Sequence, residues 1–412
     1  MIVIKEFYKL VMLLSLLLIS LLSCTSPNDD TQVASSVVVQ DELTEVIPAA
    51  ERLALYLPQI KGKKVGLVVN QTSMVEDQHL VDTLKMMGVD VKKIFAPEHG
   101  FRGEADAGEH VKDGIDTNTG APVISLYGKK KGPSDEDMEG LDVVIFDIQD
   151  VGVRFYTFIS TLHYVMQACA DNNVPLIVLD RPNPNAHYID GPILQEEFSS
   201  FVGMHPVPIV YGMTIGEYGQ MINGELWLHE GAECDLTVIP CKNYDHNTYY
   251  NLPIKPSPNL PNIQSIFLYP SLCLFEGTHV SVGRGTDMQF QVYGHPAWSE
   301  APSQIIIKSM PGAKYPKHEN KKIGYQSLQH LTKGSLHKRE QLDMSYLVNM
   351  RKLLSVKGEP FFLEKNNFFE KLAGTDELRN QLNTGKSEQE IRESWQKGLN
   401  KFKTIRQKYL LY

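Results

Sequence analysis

Between Lys63 and Asp180 the chain alternates short β-branched runs with segments of helical spacing, and this alternation constrains the fold more than any other feature. Lys63–Asn70 (KKVGLVVN) is the kind of compact apolar run that parallel sheets bury on both faces. His79–Gly88 follows, with Leu80, Leu84 and Met87 at helical spacing and a glycine to close it. Val89–Phe95, Pro122–Gly128, Leu141–Asp150 and Val174–Asp180 read as further strands, the last of them ending the series. Phe158–Asn173 reads as a helix with Leu162, Val165, Met166 and Cys169 on one face. Strands and helices alternating at this pitch predict an α/β architecture, a Rossmann-like doubly wound parallel sheet.

Such sheets bind ligands beyond the carboxyl ends of their strands. Here those ends carry Asn70 and Gln71, then Glu98 and His99, then Tyr127, then Asp147, Gln149 and Asp150, and finally Asp180, Arg181 and Asn183. The loop FAPEHGFRGE (Phe95–Glu104) is the densest of them, with Glu98, His99, Arg102 and Glu104 directly behind an apolar strand. A turn needs only proline and glycine, so these charges point to a crevice shared with the neighbouring strand ends. Neither a dinucleotide fingerprint nor a phosphate loop follows any strand, and VGRGTD (Val282–Asp287) lacks the third glycine. No nucleotide cofactor is therefore expected.

The character of the chain changes near residue 255. KPSPNLPN (Lys255–Asn262) reads as a domain boundary or a rigid wall. An apolar stretch then runs into a polar glycine-rich loop bearing Glu276, His279, Arg284 and Asp287. Ser387 and Glu390 form a capping box before Ile391, Trp395, Leu399 and Phe402, the core face of an amphipathic helix. These features predict a sheet domain over residues 51–262 and a smaller mixed α+β domain over 263–412.

Composition narrows the partners. A formal charge of −9 argues against nucleic acid, which needs a basic face. Lys5 and Lys9 precede an apolar run from Val11 to Leu22, too short for a comfortable membrane span, and Leu21-Leu22-Ser23-Cys24 resembles a bacterial lipobox. The expectation is an export signal over residues 1–24, lipidation of Cys24, a polar tether over 25–50, and a body held in the cell envelope by that lipid alone. Cys169, Cys234, Cys241 and Cys273 show no zinc-type CxxC pair. Cys234 and Cys241 bracket DLTVIP and could close a hairpin by a disulfide; the alternative is that all four are buried thiols.

Carboxylates and guanidinium groups gathered at strand ends suggest acid–base chemistry on an anionic substrate. Glu98 is the expected proton donor, with Asp147, Asp150 or Asp180 as a second carboxylate, since like charges and partial burial raise a carboxyl pKa. Arg102, Arg154, Arg181 and Arg284 would match an anion bidentately, and Tyr127 and Tyr156 would offer faces to a sugar ring. Glu98, His99, Glu104, Asp106, Glu109 and His110 could instead ligate a divalent cation, but none has the HExxH spacing that fixes a zinc, and no metal is expected.

Taken in order, VGLVVNQTS, FAPEHGFRGEADAG, DIQDVGVRFYTFISTL, DRPNP, GPIL, YGMTIGEYG, PSPNLPN, YPSLCLFEGTHVSVGRGTD and LAGTDELRNQL resemble the bacterial exo-β-N-acetylmuramidases of the NamZ type, from about Leu53 to Tyr412. The resemblance implies a Rossmann-like domain and a smaller C-terminal domain around a cleft. It implies release of N-acetylmuramic acid from the non-reducing ends of peptidoglycan fragments, in cell-wall recycling or scavenging. It also carries the proposed catalytic glutamate of PEHG onto Glu98. Glycoside cleavage then needs that acid and a second group, which could be a carboxylate or the substrate's own acetamido oxygen. Two rivals use the same cleft: a muropeptide-binding lipoprotein without turnover, and a metal-dependent hydrolase.

Overall fold

The computed structural model describes residues 45–98, 100–101 and 113–412. Cys24 with its export signal, most of the tether, His99 and the acidic and basic residues from Arg102 to His110 lie outside the described residues. Nine elements carry the first half of the chain: α1 (Leu53–Ile60), β1 (Lys64–Val69), α2 (Leu80–Met86), β2 (Asp90–Ala96), β3 (Gly114–Ile115), β4 (Pro122–Ser125), β5 (Val143–Asp147), α3 (Phe158–Asp171) and β6 (Leu176–Leu179). After them come α4 (Ile215–Gly224) and β7 (Leu236–Ile239).

These strands form one sheet in the order β3-β4-β2-β1-β5-β6-β7, parallel except for β3, which runs antiparallel to β4. Within β1 and β5 successive side chains enter opposite cores. Val68, Val144 and Phe146 join one apolar cluster, while Leu67, Val69, Val143 and Ile145 join the other. Burial on both faces explains why these strands read as unbroken apolar runs. The helix face anticipated from Leu162, Val165, Met166 and Cys169 is buried in α3.

The strand series does not end at β6. DLTVIP is no hairpin: its core is β7, paired parallel with β6 from Leu176↔Leu236 to Leu179↔Ile239. A strand between Cys234 and Cys241 carries the two residues to opposite ends of an extended segment, and all four described cysteines are buried free thiols. A single four-residue run gives no period that separates a hairpin arm from an edge strand, so only the tertiary pairing decided it.

The second half contains α5 (Ile263–Leu272), an antiparallel sheet of β8 (Val292–His295), β9 (Ser303–Ile306) and β10 (Lys322–Ser327), and the helices α6 (Ser345–Val356) and α7 (Glu388–Arg406). Ser387 caps α7 together with Glu390, and Ile391, Trp395, Leu399 and Phe402 are buried. The larger apolar cluster runs from Phe146 and Leu162 through Leu268 and Phe275 to Leu347 and Trp395, so both halves share one core. Among the described residues no helix is long and apolar enough to cross a membrane.

Candidate functional site

A cavity of about 740 Å³ opens where the loops after β2, β4 and β5 meet the second half of the chain. Glu98 follows β2, Tyr127 follows β4, and Phe155, Tyr156, Thr157 and Phe158 lead from β5 into α3. The proline-rich segment supplies Ser257, Asn259 and Leu260, and so is a wall of this cavity. Hydrogen bonds hold that wall in place: Tyr156 Oη donates to the Pro256 carbonyl at 2.8 Å, Gln71 Nε2 donates to the same carbonyl at 3.1 Å, and Asn259 Nδ2 donates to the Gly312 carbonyl at 2.7 Å. Phe201, Tyr269, Glu276, Arg284, Phe290 and the 312–316 loop are among the other lining residues.

Glu98 and Glu276 are the carboxylates among the described lining residues. Thr157 Oγ1 donates to Glu98 Oε2 at 2.8 Å and so orients the side chain. Glu276 Oε2 lies 3.1 Å from Arg284 Nε, an ion pair whose Nε–H is not aligned as a hydrogen bond. Burial alone would raise the Glu276 pKa, but Arg284 and then Lys317 outweigh it and hold this carboxyl below its usual range. Arg284 also lies 5.3 Å from the Phe290 ring centroid, and the charge of Glu276 raises its pKa against the effect of burial. The cavity thus holds one glutamate oriented by a threonine hydroxyl and another paired with an arginine, within walls rich in aromatic rings. Tyr315, 92% exposed, belongs to those walls.

Most of the other strand-end residues singled out from sequence are buried and do not line this cavity. The crevice between β1 and β5, where strand order reverses and such sheets usually bind ligands, is filled by the protein itself. Asp147 is fully buried and accepts from Arg181 Nε at 2.5 Å and Nη2 at 2.9 Å. Asn70 Oδ1 accepts from the Thr72 N–H at 2.9 Å, and Thr72 Oγ1 in turn accepts from the Gln149 N–H at 3.0 Å. Gln149 Nε2 donates to the Pro182 carbonyl and Asn183 Nδ2 to the Met213 carbonyl, each within 2.8 Å.

Asp150 and Asp180 do not reach the cavity either. Burial pushes the Asp150 carboxyl up to about 6, against the opposing pull of the Tyr211 hydroxyl and the Gly152 N–H. Burial likewise pushes Asp180 up to about 7, although Thr214 Oγ1, the Gly216 N–H and Tyr412 Oη all donate to it. Both carboxyls are perturbed because they are enclosed, and a perturbed pKa marks structural networks as well as active sites. Asp287 is exposed and is not part of the cavity lining.

The arginines divide in the same way. Arg154 is fully buried: Nη1 donates to the carbonyls of Pro192 (2.8 Å) and Val207 (2.6 Å), and Nη2 to those of Leu372 (3.0 Å) and Ala373 (2.7 Å). Arg181 is held by Asp147, and of Arg154, Arg181 and Arg284 only Arg284 lines the cavity, Arg102 lying outside the described residues. Sequence reasoning noted Glu276 in its loop without assigning it chemistry, and passed over Thr157 and Phe201. Thr157 directly follows Tyr156 and could have been found by extending that strand end. Phe201 belongs to no periodic element, and nothing local marks it. Among the described residues no group of three or more His, Cys, Asp or Glu side chains is placed to hold a metal ion.

With this geometry established, similarity to other proteins becomes informative. Residues 65–264 match the family described as exo-β-N-acetylmuramidase NamZ, N-terminal, and residues 267–412 match its C-terminal counterpart. The chain is 36% identical over 405 residues to the peptidoglycan β-N-acetylmuramidase NamZ of Bacillus subtilis (strain 168), covering 94% of each. Crystal structures of two DUF1343 family proteins from Bacteroides fragilis NCTC 9343 are also similar. The first has a TM-score of 0.82 and 46% identity, over 90% of this chain and 99% of that one. The second has a TM-score of 0.72 and 28% identity, over 89% and 99%.

Proposed function

Because this chain belongs to the NamZ family of exo-β-N-acetylmuramidases, a family of glycosidases, we propose that it releases N-acetylmuramic acid from the non-reducing ends of peptidoglycan fragments, with Glu98 as the proton donor. The observation that carries the assignment is Glu98 itself, oriented by Thr157 on the wall of an aromatic cavity that also holds the ionised Glu276. In this reading the Glu98 proton passes to the glycosidic oxygen as the bond from that oxygen to the anomeric carbon breaks. Positive charge then develops on the ring, as in other glycoside cleavages, until water adds to the anomeric carbon and its proton restores Glu98. Glu276 is the lining carboxylate suited to face that charge, because Arg284 and Lys317 keep it ionised. It takes the place that Asp147, Asp150 and Asp180 would have needed to reach. Aromatic walls suit an apolar sugar face, and exposed Tyr315 offers one such surface.

Incubation with an N-acetylmuramyl-β-1,4-N-acetylglucosamine disaccharide, before and after exhaustive chelation, tests the reading. The expected result is release of N-acetylmuramic acid at an unchanged rate in both. Binding without release would leave a muropeptide-binding protein, and activity lost to the chelator and restored by one divalent ion would make the enzyme a metal-dependent hydrolase.

The lipobox-like Leu21–Cys24 and the polar stretch behind it support placing the enzyme in the cell envelope, tethered through Cys24, where its substrate is found. Metabolic labelling with a fatty acid is expected to mark the wild type and not Cys24→Ser. Equal labelling of both would remove the anchor from the proposal.

A further inference from the structure

The muramidase reading leaves open which cation recognises the lactyl carboxylate, the group that separates N-acetylmuramic acid from N-acetylglucosamine. Arg154 spends its two terminal nitrogens on four backbone carbonyls. Arg181 is held by Asp147, and Arg284 is already neutralised by Glu276. Lys314, also at the cavity, has a partner of its own.

Resting on that reading, we propose that Lys131 is the residue that binds the lactyl carboxylate and sets the preference for muramic acid over glucosamine. Its Nζ sits 3.9 Å from the Phe201 ring centroid and 4.8 Å from that of Tyr127, and both rings line the cavity. Among the described residues Lys131 makes no hydrogen bond or ion pair, whereas the adjacent Lys130 pairs with Asp137. Burial lowers the pKa of the Lys131 ammonium, more than the opposing influence of Glu98 restores. A partly desolvated ammonium held over two ring faces has no ion pair among the described residues, and an arriving carboxylate would supply one. The two rings that hold it line the same cavity as Glu98, and in muramic acid the lactyl ether is borne on the same ring as the bond to be broken.

The test compares wild type, Lys131→Met and Lys131→Arg on aryl β-glycosides of N-acetylmuramic acid and N-acetylglucosamine, with binding of the two free sugars measured by calorimetry. In Lys131→Met the ratio of kcat/KM for the muramide over the glucosaminide is expected to fall about 10- to 100-fold, the range of a hydrogen bond to a charged group. Affinity for free N-acetylmuramic acid should fall by a similar factor relative to N-acetylglucosamine, and Lys131→Arg should recover most of the preference. An unchanged ratio would overturn the proposal. So would equal losses on both sugars with a displaced pH profile, because Lys131 would then act through Glu98 rather than on the substrate. If the wild type turns over neither glycoside, the muramidase reading falls, while the relative affinities of the free sugars still decide the role of Lys131.

Discussion

Glu98→Gln is expected to fold normally and to lose about a hundredfold or more in turnover on the natural disaccharide, the usual scale for removing a positioned general acid. Glutamine keeps the size of the side chain and an oxygen that can accept the Thr157 hydroxyl, the contact that Glu98 Oε2 makes at 2.8 Å. What it cannot do is surrender a proton to the departing sugar oxygen. The loss should therefore depend on the leaving group. A disaccharide must expel a poor alkoxide and needs the proton, whereas a nitrophenyl glycoside expels a stable anion and should suffer much less. Binding of N-acetylmuramic acid should persist. Steady-state kinetics on both substrate types, with calorimetry for the free sugar, check all three statements. Near-wild-type turnover of the disaccharide would end the assignment of Glu98, and Glu276 would be the next carboxylate to replace.

The second large effect falls on stability. Arg154→Met should destabilise the protein by about 3–5 kcal/mol, the scale of removing one partner from a buried, charged hydrogen-bond network. Methionine fills much of the space but donates nothing. It would leave the carbonyls of Pro192, Val207, Leu372 and Ala373 without the guanidinium that now satisfies them. These four carbonyls come from two distant parts of the chain, so the one side chain ties the loop before α4 to the short helix Phe368–Ala373. Gly374 closes that helix at φ +77°, and a Cβ there would lie 2.6 Å from Arg154 Nη2. The packing is tight enough to demand glycine on both counts. Urea denaturation should show the loss, with the sugar preference of the folded fraction unchanged. Normal stability with a lost preference for muramic acid would restore Arg154 to the role its sequence position suggested.

The contrast between these residues shows how far the chain could be read unaided. β1, β5, β6 and α3 were legible because burial on both sheet faces writes itself as a continuous apolar run, and a helix face repeats every three to four residues. The capping box of α7 and its four buried apolar positions were legible for the same reason: a local geometry imposes a local pattern. Sequence also located Glu98 at a strand end, and its long ordered motifs pointed to the family to which the chain belongs.

Fate at the strand ends was not written in that pattern. Glu98, Asp147, Asp150 and Asp180 all follow apolar strands and look alike in sequence. They separate because of partners brought from afar. Arg181 takes Asp147, Thr214 and Tyr412 take Asp180, and Tyr211 takes Asp150, while Glu98 alone of the four lines the cavity. The same holds for Arg154, whose Nη2 finds its carbonyls more than 200 residues along the chain, and for Lys131, which meets Phe201 across a gap no periodicity spans. Sequence by itself determined which segments are buried and where polar groups emerge, since burial along one strand or helix is a property of consecutive residues. Which of those polar groups faces substrate and which braces the fold was decided only in three dimensions, because desolvation and pairing depend on side chains that arrive from elsewhere in the chain.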